Sequence, residues 1–109
     1  MKGSVVLVPF PFTDFSAEKL RPAIVLYEND DDAVVAFISS KRPSVMIPTG
    51  IPVLRSQQDF SATGLKTDSV IRLDKIATII RTRIAGRIGE LPPEMRSMVN
   101  EKIVDLYRI

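Results

Sequence analysis

The chain has 109 residues, 45% of them hydrophobic, which is enough for one domain with a substantial core. It contains no cysteine and no histidine, which excludes disulfides, thiolate nucleophiles and the usual neutral-pH general base. The formal net charge of +2 is uneven, because residues 1–32 carry three basic and six acidic side chains and the remainder carries twelve and seven. A basic remainder is compatible with a polyanionic partner such as RNA, although solvated surface is the simpler interpretation of charge alone.

The sequence also limits where the protein acts and what it binds. No stretch is long and apolar enough to span a membrane, and the N-terminus lacks a signal-peptide pattern, so we expect a cytoplasmic protein with no membrane partner. The acidic run at residues 28–32 could hold a metal, but a solvated hairpin tip is the commoner use of such a run and is our interpretation. We expect no metal and no cofactor.

The first third of the chain predicts three strands, at residues 5–8, 23–27 and 33–39. Short apolar runs rich in β-branched residues are bounded there by breakers and polar residues. Pro9 and Pro11 should end the first strand or confine it to a sheet edge, since proline lacks a ladder donor. The segment that joins the first two strands, rich in proline, phenylalanine and polar residues, should project as a loop.

The third strand changes character at its end, where apolar residues give way to Ser39, Ser40, Lys41 and Arg42. Because side chains alternate along a strand, the two serines should project to opposite faces of the sheet. At most one of the two hydroxyls should therefore serve a given pocket. Lys41 and Arg42 are candidate contacts for a phosphate, although solubility alone would explain them.

The second half predicts short strands and a terminal helix. The strands are predicted at residues 45–47, 51–54, 69–73, 75–81 and 84–88. Polar residues 55–68 predict a loop, and a helical turn at 74–78 is an alternative to the strand there. Pro92-Pro93-Glu94 fits a helix start.

An apolar stripe follows this helix start, and it predicts a helix face that covers the sheet, although it could serve a partner. It consists of Met95, Val99, Ile103 and Leu106, joined by Met98 and Tyr107. The element order predicts a mainly β, α+β fold: a small barrel with an appended C-terminal helix, in one domain over residues 1–109.

Five stretches carry a family resemblance, in order and over nearly the whole chain. They are VLVPFPFTD at 6–14, RPAIVL at 21–26, AFISS at 36–40, TGLKTDSVIRLDKI at 63–76 and GRIGELPPEM at 86–95. Together they resemble the MazF/PemK family of toxin endoribonucleases. The resemblance implies an SH3-like barrel of the MazF/CcdB type, a homodimer and metal-independent, sequence-specific cleavage of single-stranded RNA. It also implies a cognate antitoxin whose disordered tail occupies the RNA-binding groove.

The resemblance assigns roles to particular residues. Arg21 matches the family's catalytic arginine, which precedes a proline at the start of strand two. Ser39 stands where the family has a catalytic threonine, and serine keeps the hydroxyl but lacks the methyl group that stiffens a threonine rotamer. Some members also use an acidic residue of the first loop, for which Glu18 is the nearest candidate.

The chemistry that the resemblance implies suits these residue types. The RNA's own 2′-hydroxyl attacks the phosphorus and leaves 2′,3′-cyclic phosphate and 5′-hydroxyl ends. Arg21 offers a planar donor fork to phosphate oxygens, but arginine stays protonated and is a poor general base. Asp14 or Glu18 could accept the 2′-proton, and the sequence does not decide between them.

Two further residues are candidate RNA contacts. Phe12 could stack on a base, although the loop phenylalanines could equally pack on the barrel or on a second subunit. Lys19 is a candidate phosphate contact.

The alternative function is a non-catalytic protein of the same fold that binds DNA gyrase, as CcdB does, or only an antitoxin.

Overall fold

The computed structural model describes residues 1–10, 19–41 and 47–109. The described residues form six strands, one α-helix and two 3₁₀ helices, at Phe60–Thr63 and Arg81–Arg83. The other elements are β1 (Ser4–Phe10), β2 (Lys19–Glu28), β3 (Asp32–Ser39), β4 (Gly50–Val53), β5 (Ser69–Ile80), β6 (Gly86–Glu90) and α1 (Pro93–Leu106). Among these residues, no helix has the length and apolar character needed to cross a membrane.

The strands form one antiparallel sheet in the order β4-β5-β3-β2-β1-β6. The acidic run between β2 and β3 is the hairpin tip that the sequence predicted. The side-chain oxygen of Asn29 accepts hydrogen bonds from the backbone N–H groups of Asp31, at 2.9 Å, and Asp32, at 2.7 Å. The predicted mainly β fold with a C-terminal helix is confirmed.

The prolines of the first two strands lie where the sheet has a partner on one side only. Pro9 is opposite Leu20, and Pro22 is opposite Leu7, in the β1–β2 ladder. The β1–β6 ladder ends at Leu7 and the β2–β3 ladder begins at Ala23, so neither proline has to donate to a second strand. Strand β1 therefore runs two residues beyond the predicted end at Val8.

Both faces of the sheet bury apolar side chains. Neighbouring residues such as Val5 and Val6 are fully buried in different clusters, as the alternation of a strand requires. One cluster lies beneath α1 and includes Ile24, Ile38, Ile71, Leu73, Met95 and Val99. The other includes Val8, Ala23, Val25, Ala33, Val35 and Ile79. Register shifts in three of the ladders allow the sheet to curl into a half-barrel.

Several second-half predictions need correction. β5 is one continuous strand from Ser69 to Ile80, so the two strands predicted at 69–73 and 75–81 are one, and the alternative of a helical turn at 74–78 is wrong. Its ladder with β3 continues on both sides of an irregularity. Strand β6 begins two residues later than predicted, and the predicted loop at 55–68 contains a 3₁₀ helix. Of the predicted strand at 45–47, residues 45 and 46 lie outside the described residues, and Ile47 is not in a strand.

Helix α1 covers the first cluster with the predicted stripe. Met95 and Val99 are buried, and Ile103 and Leu106 pack partly buried against the same cluster. Met98 and Tyr107 do not extend the buried stripe, since they are 44% and 52% exposed. The Tyr107 hydroxyl instead donates a hydrogen bond to the backbone carbonyl of Leu73.

Candidate functional site

Two strand ends that the sequence singled out meet at one end of the sheet. Arg21 lies near the start of β2, and Ser39 is the last residue of β3. The β2–β3 ladder ends with Ala23 opposite Phe37, and Arg21 and Ser39 each lie two residues beyond that pair on their own strands. Alternation puts both side chains on the face that carries the second apolar cluster.

A groove of about 400 Å³ lies beside this pair. Apolar residues of β2, β3 and the loop before β5 contribute to its lining, and five cationic residues contribute the charge. The lining residues are Arg21, Pro22, Phe37, Ile38, Ser39, Ser40, Lys41, Leu65, Lys66, Thr67, Ser69, Arg72 and Lys75. A volume in this range suits a small ligand or one unit of a polymer.

The charge of the groove is largely uncompensated. Arg72 forms a bidentate pair in which Nε donates to Asp74 Oδ1 at 2.9 Å and Nη2 donates to Oδ2 at 2.8 Å. Hydrogen bonds from Arg72 lower the pKa of Asp74 to about 2, and the same pairing raises the pKa of Arg72. Within the described ranges, the other four cationic side chains have no carboxylate partner: Arg21, Lys41, Lys66 and Lys75. The groove therefore favours an anion.

The Ser39 hydroxyl closes a local turn at the end of β3. Its oxygen accepts a hydrogen bond from the Lys41 backbone N–H at 3.1 Å and donates to the Lys41 carbonyl at 3.3 Å. The second distance is longer than a normal O–H···O hydrogen bond. An acceptor entering the groove can therefore replace the carbonyl as the partner of this hydroxyl, while the turn keeps the oxygen in place.

The neighbouring candidates have different outcomes. Ser40 also lines the groove, so the prediction that only one of the two serines would serve a pocket is wrong here. Ser40 follows the last residue of β3, where strand alternation no longer applies. Lys41 also lines the groove. Lys19 is exposed and precedes Arg21 by two residues on the same face, but it is not part of the lining. Four other candidates lie outside the described residues: Phe12, Asp14, Glu18 and Arg42.

Sequence reasoning missed Lys66, Arg72 and Lys75 as groove residues. The signal for Arg72 is its register, because Ser39 is opposite Val70 and Phe37 is opposite Arg72 in the β3–β5 ladder. That register was not readable without knowing that β5 pairs with β3. In the part of the chain that is described, no three His, Cys, Asp or Glu side chains converge to hold a metal ion.

Comparison with known sequences gives a family match over almost the whole chain. Residues 1–107 match a family described as PemK-like, MazF-like toxin of type II toxin-antitoxin system. Endoribonuclease EndoA of Bacillus subtilis is 31% identical over 90 residues, which cover 77% of this chain and 72% of EndoA. A probable endoribonuclease MazF of Mycolicibacterium smegmatis is 31% identical over 74 residues, 67% of this chain and 66% of that protein.

Solved structures confirm the predicted barrel-type fold. The Mycobacterium tuberculosis toxin MazF-mt6 superposes with a TM-score of 0.74 at 20% identity, covering 97% of both chains. A mycobacterial endoribonuclease in complex with its cognate antitoxin gives a TM-score of 0.72 at 17% identity, covering 96% of this chain and 91% of that one. At these identities the likeness concerns the fold.

Proposed function

The chain belongs to the PemK-like, MazF-like family of type II toxins, and from that premise we propose that it is an endoribonuclease that cleaves single-stranded RNA. The observation that carries the proposal is the groove that joins Arg21 and Ser39 with further cations. A polyanion is the ligand class that this charge selects. The apolar part of the lining suits bases that are not paired in a duplex.

In the proposed reaction the 2′-hydroxyl of one nucleotide attacks the adjacent phosphorus. A bond forms between that 2′-oxygen and the phosphorus, and the bond to the 5′-oxygen breaks. The departing 5′-oxygen takes up a proton from water, so the products carry a 2′,3′-cyclic phosphate and a 5′-hydroxyl. The Arg21 guanidinium donates to the non-bridging oxygens as they gain charge, and the Ser39 hydroxyl donates a further hydrogen bond. Because the nucleophile belongs to the substrate, the reaction requires no metal-activated water, and we propose that it proceeds without metal.

The proton of the attacking hydroxyl needs an acceptor other than Arg21, because a guanidinium carries only hydrogen-bond donors. We assign this role to a carboxylate of the segment between β1 and β2, Asp14 or Glu18. A carboxylate within hydrogen-bond reach of the attacking oxygen would accept its proton. Replacing each carboxylate with its amide, one at a time, identifies the acceptor by the larger loss of cleavage rate.

The proposed partners besides RNA are a second copy of the chain and an antitoxin. Tyr27 is opposite Val34, and Val34 is opposite Thr78, so these three residues form one row across the sheet. Ile76 and Ile80 flank that row, and Tyr27 and Ile80 are 49% and 60% exposed. An apolar area of this kind suits a homodimer interface, which light scattering would report as twice the chain mass. The cationic groove suits an acidic antitoxin segment.

The test is cleavage of a long single-stranded RNA in EDTA by the wild type, Arg21→Ala and the control Lys2→Gln. Lys2 is exposed and precedes the start of β1, whereas Arg21 is opposite Val8 towards the end of that strand. Lys2→Gln removes the same charge as Arg21→Ala. We expect discrete fragments whose 5′-hydroxyl ends accept phosphate directly from polynucleotide kinase. Loss of Arg21 should slow cleavage by at least about 10²-fold, as for other donors to a developing oxyanion.

Either of two results would overturn part of this proposal. An Arg21→Ala protein that cleaves at the wild-type rate removes Arg21 from the catalytic centre. If the folded wild type leaves the RNA intact, the protein is not an endoribonuclease. In that case, inhibition of gyrase supercoiling would identify the gyrase-binding alternative, and its absence would leave antitoxin binding as the function.

A further inference from the structure

The Arg72–Asp74 pair is a part of the groove that the proposed reaction does not use. Asp74 engages Nε and Nη2 of Arg72, at 2.9 and 2.8 Å. A guanidinium has five N–H groups, so this side-on pairing leaves both N–H groups of Nη1 and one of Nη2. No other residue in the described ranges accepts a hydrogen bond from Arg72. Its side chain is 27% exposed and lines the groove, so these N–H groups are available to a ligand.

The position of Arg72 relative to Arg21 follows from the ladders. Arg21 on β2 and Ser39 on β3 each lie two residues beyond the last β2–β3 pair, Ala23 and Phe37, and Ser39 is opposite Val70 of β5, two residues from Arg72. Arg72 is therefore two strands across and two residues along from Arg21. With strands about 4.8 Å apart and a rise of about 3.4 Å per residue, their Cα atoms are roughly 12 Å apart. Two long side chains at this separation can hold different phosphates of one RNA segment.

The neighbourhood of Arg72 also favours phosphate. Lys66 and Lys75 line the same groove, both are exposed, and neither forms an ion pair among the residues that the structure describes. Asp74 is the one carboxylate that pairs with a lining cation in those ranges. The free guanidinium fork matches two oxygens of a phosphate, and the lysines add charge without fixed geometry.

We propose that Arg72 is a second phosphate-binding residue for RNA in this groove, contacting a nucleotide that flanks the cleaved bond, and that Asp74 is the positioning residue that orients it. The inference rests on the proposed function. Arginine has several rotatable bonds, and holding it in one orientation before RNA arrives removes an ordering cost from binding. The alternative is that the Arg72–Asp74 pair has no role in RNA binding and only stabilises the irregular part of β5.

Binding of a mixed-sequence, fluorescein-labelled 2′-O-methyl RNA tests whether Arg72 contacts a phosphate. This probe stays intact because it lacks the attacking hydroxyl. Fluorescence anisotropy would compare the wild type, Arg72→Gln and the charge-matched control Lys2→Gln over a salt series. Loss of one phosphate contact on a single strand lowers the salt slope by about 0.7, which is about fivefold in Kd near 0.1 M salt. We expect that change for Arg72→Gln and less than a twofold change for Lys2→Gln.

Asp74→Asn tests whether Asp74 orients Arg72, because the two possible roles of Asp74 change the Kd for RNA in opposite directions. Removing a negative charge from the groove should tighten RNA binding if Asp74 acts only through its charge. Removing the group that orients Arg72 should weaken binding, and we expect about two- to threefold weakening. The double variant completes a double-mutant cycle: in the Arg72→Gln background, Asp74→Asn should no longer weaken RNA binding. Thermal unfolding of each variant shows that the measured protein is folded.

The outcomes separate this inference from the proposed function. If the wild type cleaves RNA but Arg72→Gln binds the probe with the wild-type Kd and salt slope, Arg72 is not a phosphate contact. Tighter binding by Asp74→Asn overturns the positioning role alone. If the wild type neither cleaves RNA nor binds the probe, the proposed function fails. With cleavable RNA, Arg72→Gln should raise KM and leave kcat nearly unchanged, whereas Arg21→Ala should lower kcat.

Discussion

Gly89 of β6 lies so close to the 3₁₀ helix Phe60–Thr63 that a methyl group does not fit. A Cβ at Gly89 would lie 2.4 Å from the Ala62 carbonyl oxygen and 2.4 Å from the Thr63 carbonyl carbon, where ordinary contacts begin at 3.4 Å. Both atoms are backbone, so Gly89→Ala must displace the 3₁₀ helix by about 1 Å. We expect a loss of about 2–3 kcal/mol in the free energy of unfolding, the upper range for an overpacked core.

The 3₁₀ helix has little room to yield. Thr63 is fully buried, and its hydroxyl donates to the Phe60 carbonyl at 2.7 Å and accepts from the Leu65 N–H at 3.1 Å. Gly64, which follows the 3₁₀ helix, also packs against β6, because a Cβ there would meet the Ile88 carbonyl oxygen at 2.1 Å. The backbones of the 3₁₀ segment and β6 are therefore in close contact at two places, and a shift of the segment must disturb both.

Gly86→Ala is the matched control, since it adds the same methyl group to the same strand. No atom lies within 4 Å of a Cβ at Gly86, and its φ is outside the left-handed region. We expect a change within about 0.5 kcal/mol, or a gain of up to about 1 kcal/mol from a stiffer unfolded chain. Urea unfolding measures both variants, with the slope m checked for constancy. Equal stabilities for Gly89→Ala and Gly86→Ala would refute the packing argument.

Two other predictions concern the groove. Ser39→Ala should slow RNA cleavage by at least about tenfold by removing a donor to the phosphate, while Ser39→Thr should cleave at least as fast as the wild type; single-turnover rates check both, and wild-type activity in Ser39→Ala would contradict the assigned role. The pKa of Asp74 is lowered to about 2 by hydrogen bonds from Arg72. The ionised Asp74 therefore contributes fully to the free energy of unfolding above its ordinary pKa, and this contribution is lost as pH falls towards 2. The pair is partly exposed, so we expect only about 0.5–1 kcal/mol, seen as a shallower loss of stability between pH 5 and pH 2.5 in Asp74→Asn than in the wild type.

The first three strands were predictable because their signals are local. Apolar residues on both alternating faces mark β1, and the change from Ile38 to Ser39 marks the end of β3. The stripe of α1 was predictable for the same reason, since Met95 and Val99 follow the helical period. Met98 and Tyr107 lie at its margin, and whether a marginal residue is buried depends on the width of the surface beneath it, which the helix sequence does not encode.

The groove was only half predictable, and the reason is the distance between its parts in the sequence. Arg21 and Ser39 belong to neighbouring strands of a hairpin, so the register of that hairpin brings them together. Lys66 follows a 3₁₀ helix, and Arg72 belongs to a strand whose partner is decided by the whole sheet. A non-local pairing of this kind leaves no periodic signal around the residues that it assembles.

The irregular pairing in β5 links the curled fold to the chemistry of the groove. Ala36 is opposite Ile76 but Phe37 is opposite Arg72, so three extra residues of β5 lie between two adjacent positions of β3. Because three is odd, the face that each residue occupies switches across the irregularity. Before it Arg72 faces the groove; after it Ile79 faces the second apolar cluster on the same side of the sheet. A regular β5 would place either the cation or the isoleucine on the wrong side, so the groove and the core beneath it both depend on this irregularity.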